Sequence, residues 1–134
     1  PIHRAAMTPY IQQKLDDYAS ALATLHEVVL LTNPSQLEKD GALQRFEYCF
    51  ELAWKCLKLV LEDRGITPVN SPKTAFSQGF IAQLLTDEPL WLSILAYRNK
   101  SVHTYDSDLA EEVFEKIPAF YAAMNELLLR LRQA

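Results

Sequence analysis

With 134 residues, 49% of them hydrophobic and 22% charged, the chain has the length of one domain, a core to bury and a surface to stay in water. A net charge of −4 excludes the broad basic field of a non-specific nucleic-acid binder, so any contact with RNA is expected to be local. Only Gly41, Gly65 and Gly79 are available for tight turns, and the abundance of Leu, Ala, Glu, Gln and Lys favours helix.

The opening Pro1-Ile2-His3-Arg4 is not followed by the apolar stretch of a secretory leader, and no run approaches the roughly 20 apolar residues that span a bilayer. Residues 1–6 are expected to be disordered or foreign to the domain, and the protein is expected in the cytoplasm with no membrane partner. Thr8-Pro9 starts a first helix, Thr as N-cap and Pro in the first turn. Ile11, Leu15, Tyr18, Leu22, Leu25 and Val29 then recur at steps of four and three, a bundle stripe that Asn33-Pro34 closes.

Ser35-Gln36-Leu37-Glu38 has capping-box form and reads as a short helix, with Asp40-Gly41 as a second start. Beyond it Leu43, Phe46, Phe50, Ala53, Leu57 and Val60 make one stripe, while Cys49, Leu52, Trp54, Cys56, Leu59 and Leu61 carry apolar character around most of the cylinder. Such a helix is central or lies in an interface, which points to a homodimer. Cys49 and Cys56 are on one helix face about 10 Å apart along the axis, too far for a mutual disulfide. They read as buried free thiols in a reducing compartment. No close Cys pair exists and His3, His26 and His103 are scattered, so no metal is expected. Gly65 stops the helix.

Ser71-Pro72 caps a third, shorter helix carrying Ala75, Phe76, Phe80 and Ile81. Thr86 or Asp87 opens a fourth, with Leu90, Trp91, Ile94, Leu95 and Val102 apolar and an end near Tyr105. Asp106 and Ser107 cap a fifth, with Leu109, Val113, Ile117, Phe120, Met124, Leu127 and Leu131 on one face and a kink expected at Pro118. The fold class is therefore all-α: one domain over 1–134, an up-and-down antiparallel bundle of four to five helices, expected to dimerise.

The segment Arg98-Asn99-Lys100-Ser101-Val102-His103-Thr104-Tyr105 gathers a guanidinium, an amide, an imidazole and a phenol. That is the set phosphodiester chemistry uses: a cation for the phosphate, a group that titrates near neutrality, and polar groups to position them. Asn99 and His103 are four apart and share a helix face, with Arg98 about 100° round from Asn99. An imidazole ordinarily titrates near pH 6.5, roughly where a 2′-hydroxyl proton can be taken or a leaving oxygen protonated. A structural reading competes: Arg98 pairs with an acidic neighbour, His103 complements the helix C-terminus and Tyr105 packs its ring.

Arg98-Asn99-three residues-His103-one residue-Tyr105 resembles the motif of HEPN-domain proteins, in the form found in partners of minimal nucleotidyltransferases (MNT). Gln44-Arg45-Phe46-Glu47-Tyr48-Cys49-Phe50-Glu51-Leu52-Ala53-Trp54-Lys55 resembles the second-helix signature of the nucleotidyltransferase substrate-binding subgroup, and Ser71-Pro72 with its helix also fits. The resemblance covers the chain from Met7. It implies a dimer whose motif helices face a shared cleft, an MNT antitoxin as partner, RNA as substrate and a metal-independent ribonuclease that needs no cofactor. It implies that Arg98 and His103 are catalytic, Asn99 supportive, and Tyr105 the hydroxyl that the partner silences with AMP. The subgroup's name implies an alternative, a non-catalytic subunit that presents substrate to a separate nucleotidyltransferase.

Other residues carry weaker signals. Glu47 and Glu51 read as solvated or paired on a helix, His26 as a surface or packing residue, Trp54 and Trp91 as core or interface anchors, and Arg130 and Arg132 as complements to a helix dipole.

Overall fold

The computed structural model describes residues 7–102 and 106–134, and the expectation for residues 1–6 lies outside them. Five helices follow in order: α1 (Pro9–Val29), α2 (Gln36–Asp63), α3 (Pro72–Ile81), α4 (Glu88–Ser101) and α5 (Ser107–Gln133). Among the described residues there is no strand, as an all-α sequence requires.

Local capping chemistry sets the starts. The Thr8 hydroxyl accepts from the Ile11 N–H at 3.3 Å, and Pro9 fills the first turn where its missing N–H costs nothing. Ser35 and Glu38 close a reciprocal capping box at 3.1 and 2.9 Å. The helix then runs unbroken through Asp40-Gly41, so the short helix and second start expected there are one element. A mid-helix glycine costs only about 1 kcal/mol, too little to interrupt a helix this long once its end is capped. At its far end Arg64 is the C-cap and Gly65 takes φ +85, with Ile66 N–H donating to Leu61 at 3.0 Å and Gly65 N–H to Glu62 at 2.9 Å. This Schellman geometry is open to glycine without strain. Ser71, Asp87 and Asp106 cap α3, α4 and α5. The last of these helices continues across Pro118 without ending.

Contacts fix the directions. Residues 14 and 24 of α1 meet residues 56 and 45 of α2, and residues 16 and 18 meet 132 and 124 of α5, so α1 is antiparallel to both. Lys39 pairs with Glu111 and Phe46 packs on Phe120, so α2 and α5 run the same way. Arg130 donates to the Gln83 carbonyl and Tyr97 packs on Phe120, which turns α4 against α5. The four long helices alternate up and down, with α3 packed on α2 and α4 as a brace.

The core is continuous. Phe46, Phe50, Phe76, Trp91 and Phe120 are buried, and each contributes about 1.5–3 kcal/mol through its lost contact with water. Tyr18 is buried too, its hydroxyl donating to the Met124 carbonyl at 2.6 Å. Val29, Ile81 and Val102 depart from expectation: Val29 is only half-buried while its neighbour Val28 is buried, and Ile81 is 76% and Val102 49% exposed. Ala75, Phe76 and Gly79 face α2, and Ile81, about 200° round from Gly79, must point away.

Candidate active site

The site begins with Arg98, in the last turn of α4, where a cation also complements the helix dipole. Two neighbours on α2 fix its guanidinium. The Arg98 Cζ lies 5.3 Å from the ring centroid of Phe50, and Arg98 Nη2 donates to Glu51 Oε1 in a short ion pair. Beneath, Phe50 meets Phe76 edge-on at 5.9 Å, and Phe76 packs on Trp91 at 5.1 Å. The stack reaches from the core to the surface, and the Arg98 side chain remains 27% exposed.

Glu51 is itself held. Its Oε2 accepts from the Trp54 indole N–H at 3.2 Å and lies 3.6 Å from Lys55 Nζ. Among the described residues, Arg98 uses Nη2 on Glu51, which leaves further N–H groups of the fork able to meet an anion. Asn99 is exposed beside it. The Ser101 hydroxyl donates to the Arg98 carbonyl at 2.8 Å, competing with the helical bonding of the last turn, and α4 runs to Ser101 with Val102 as C-cap; the end expected near Tyr105 falls outside the described residues. His103 and Tyr105 lie outside the described residues.

Arg98 and Asn99 are therefore adjacent at one helix end, as the sequence places them. The acidic partner of Arg98 is Glu51, 47 residues upstream, which local spacing identified only as a solvated or helix-paired carboxylate. Elsewhere, Trp91 is a core anchor, Trp54 is half-buried and hydrogen-bonded to Glu51, and His26 is exposed with its ring 5.1 Å from Tyr121. Arg130 and Arg132 do more than complement a dipole: they reach Gln83 and Asp16 and tie the end of α5 to its neighbours. Cys49 and Cys56 are buried and free, and burial pushes each thiol up to about 12. Among the described residues, no three His, Cys, Asp or Glu side chains gather as metal ligands do.

A family model described as nucleotidyltransferase substrate binding protein like matches residues 13–133. A probable ribonuclease HepT from Haemophilus influenzae is 31% identical over 97 residues, covering 69% of this chain and 66% of that protein, just under two thirds of its length. A crystal structure of a protein from Thermus thermophilus superposes with a TM-score of 0.79 at 39% identity, covering 86% of this chain and 98% of that one.

Proposed function

Since the chain belongs to the nucleotidyltransferase substrate binding protein family, the HEPN-type group its motifs resemble, we propose that it is a metal-independent endoribonuclease, the toxin of a toxin–antitoxin pair with a minimal nucleotidyltransferase. The observation that carries this reading is the Arg98 guanidinium, fixed in orientation by Phe50 and Glu51 at the end of α4 yet open to solvent five residues before His103. A pre-positioned cation is what a crowded, negatively charged phosphorane needs. The 2′-oxygen of RNA bonds to phosphorus and gives up its proton, the bond from phosphorus to the 5′-oxygen breaks, and that oxygen is protonated. His103 serves one proton transfer. Two copies of the chain, paired as a homodimer, bring a second His103 for the other, while Asn99 orients His103 or a phosphate oxygen.

In the same reading Tyr105 is the point of control. Its oxygen gives up its proton and attacks the α-phosphorus of ATP bound by the partner, pyrophosphate leaves, and the phenol carries AMP. The single domain acts in the cytoplasm, where its two free thiols remain reduced. The test is RNA cleavage by the purified protein in EDTA. We expect cleavage leaving a 2′,3′-cyclic phosphate and its loss in His103→Ala; full activity in that variant overturns the assignment.

The Arg98–Glu51 ion pair also supports a second reading, because a carboxylate on the guanidinium weakens its hold on a phosphate. A non-catalytic subunit that presents substrate to a separate nucleotidyltransferase needs no free cation there. It predicts a complex with that enzyme, formed equally well by His103→Ala, and no RNA cleavage by the free protein.

A further inference from the structure

We propose that Glu51 is a positioning residue that acts through Arg98, holding the guanidinium in the one orientation from which it stabilises the reacting phosphate; this rests on the ribonuclease reading above. The geometry around Glu51 is more elaborate than a surface ion pair requires. Its two oxygens are used differently: Oε1 takes Arg98 Nη2, and Oε2 takes the Trp54 indole N–H at 3.2 Å with Lys55 Nζ 3.6 Å away. Trp54 is one turn along the same helix and packs against the core, so the indole N–H fixes the carboxylate from below. Phe50 then sets the plane of the guanidinium from its face, 5.3 Å from Cζ, and is itself fully buried. Phe50 and Glu51 thus restrain directly, and Trp54 through Glu51, a side chain of α4 that otherwise has several freely rotating bonds.

The arrangement carries a charge cost. A carboxylate beside the arginine reduces the attraction between that arginine and a phosphate in the ground state. Such a group speeds a reaction only if alignment gained in the transition state outweighs attraction lost in the bound substrate. Those two effects separate in the kinetics. Removing the charge while keeping the shape, Glu51→Gln, lets RNA bind more tightly and react more slowly. A merely structural role of Glu51 lowers stability or the active fraction and does not tighten binding.

The experiment measures single-turnover cleavage of a short RNA in EDTA for the wild type, Glu51→Gln and Trp54→Phe, with thermal unfolding as the folding control. For Glu51→Gln we expect the half-saturating RNA concentration to fall about threefold and the rate at saturation to fall at least about tenfold. Trp54→Phe keeps an aromatic ring and removes the indole donor, and is expected to move both quantities the same way by less. Saturation rates within about twofold of wild type in Glu51→Gln, or weaker binding with a slower rate, overturn the proposal. If the wild type itself does not cleave RNA, the ribonuclease reading has failed and the kinetic role of Glu51 fails with it. A separate NMR measurement on free protein follows rotation of the Arg98 guanidinium about its Nε–Cζ bond. It is expected to be slow in the wild type and fast in Glu51→Gln; equal rotation in both overturns the positioning role even where cleavage is intact.

Discussion

Arg98 illustrates how one side chain acquires a defined task. In sequence it is a cation near a helix end; in the fold it lies on Phe50 and against Glu51, two consecutive residues of another helix. The two buried thiols show the opposite case, chemistry suppressed by the environment. Burial raises Cys49 most, the nearby Arg45 charge opposing it, and burial raises Cys56 with Lys14 as the first opposing charge. In the folded chain both thiols are pushed up to about 12, whereas an unfolded thiol titrates at about 8.5. Between those limits the unfolded state binds fewer protons, so the stability present below that range is lost as pH rises, by up to about 1.4 kcal/mol per pH unit for each thiol. Denaturant titrations between about pH 7 and 10.5 should show a level region and then a decline, shallower in a Cys49→Ala/Cys56→Ala variant. Equal alkaline slopes would contradict this account of the thiols. Tyr18, whose buried hydroxyl is also raised well above its ordinary value, steepens the decline at the highest pH in both proteins.

At the scale of elements, Gly79 shows why α3 lies so close to α2. A Cβ at that position would stand 3.0 Å from Leu57 Cδ2 and 3.1 Å from Leu85 Cδ1. Alanine is favoured over glycine in a helix by about 1 kcal/mol, but overpacking typically costs about 1–3 kcal/mol, so Gly79→Ala should be destabilising by about 1 kcal/mol. A melting temperature unchanged or raised in that variant would show that the leucines yield freely. Ser35→Ala, which opens the capping box of α2, should also cost about 1 kcal/mol in the same measurement. These features explain what was legible in the chain. Caps and stripes act within one or two turns, so the starts of α1, α3 and α5 and most of the core face of α5 could be read directly, while Ala110 and Leu128, which are also buried there, lie beside the stripe and were not. Asp40-Gly41 misled because a start signal has no force inside a helix already nucleated at Ser35. Val28 replaced Val29 because the buried face of α1 follows Ala21, Leu25 and Val28 at steps of four and three, and Val29 lies about 100° round from it.

On the scale of the whole molecule, the bundle brings residues 50, 51 and 54 of α2 to the end of α4, and no local pattern encodes that meeting. The Arg98 and Asn99 positions were legible as a motif, whereas the Glu51 contact depends on how α4 braces the α2–α5 pair. Leu52, Trp54 and Leu59 of α2 remain only partly covered within one copy, in keeping with the homodimer proposed to complete the site. Sedimentation equilibrium should therefore give about twice the 15.3 kDa of one chain; a monomer at every concentration up to those used for cleavage would leave the second proton transfer without a donor.

The most direct test is to offer chelator-treated protein two otherwise identical substrates, an all-RNA strand and one with a single 2′-deoxy sugar at the cut position. The account predicts that the first is cut to a cyclic phosphate, that the second is spared at that position, and that Arg98→Ala cuts neither. Failure to cut the RNA, or cutting by Arg98→Ala at the wild-type rate, would contradict it.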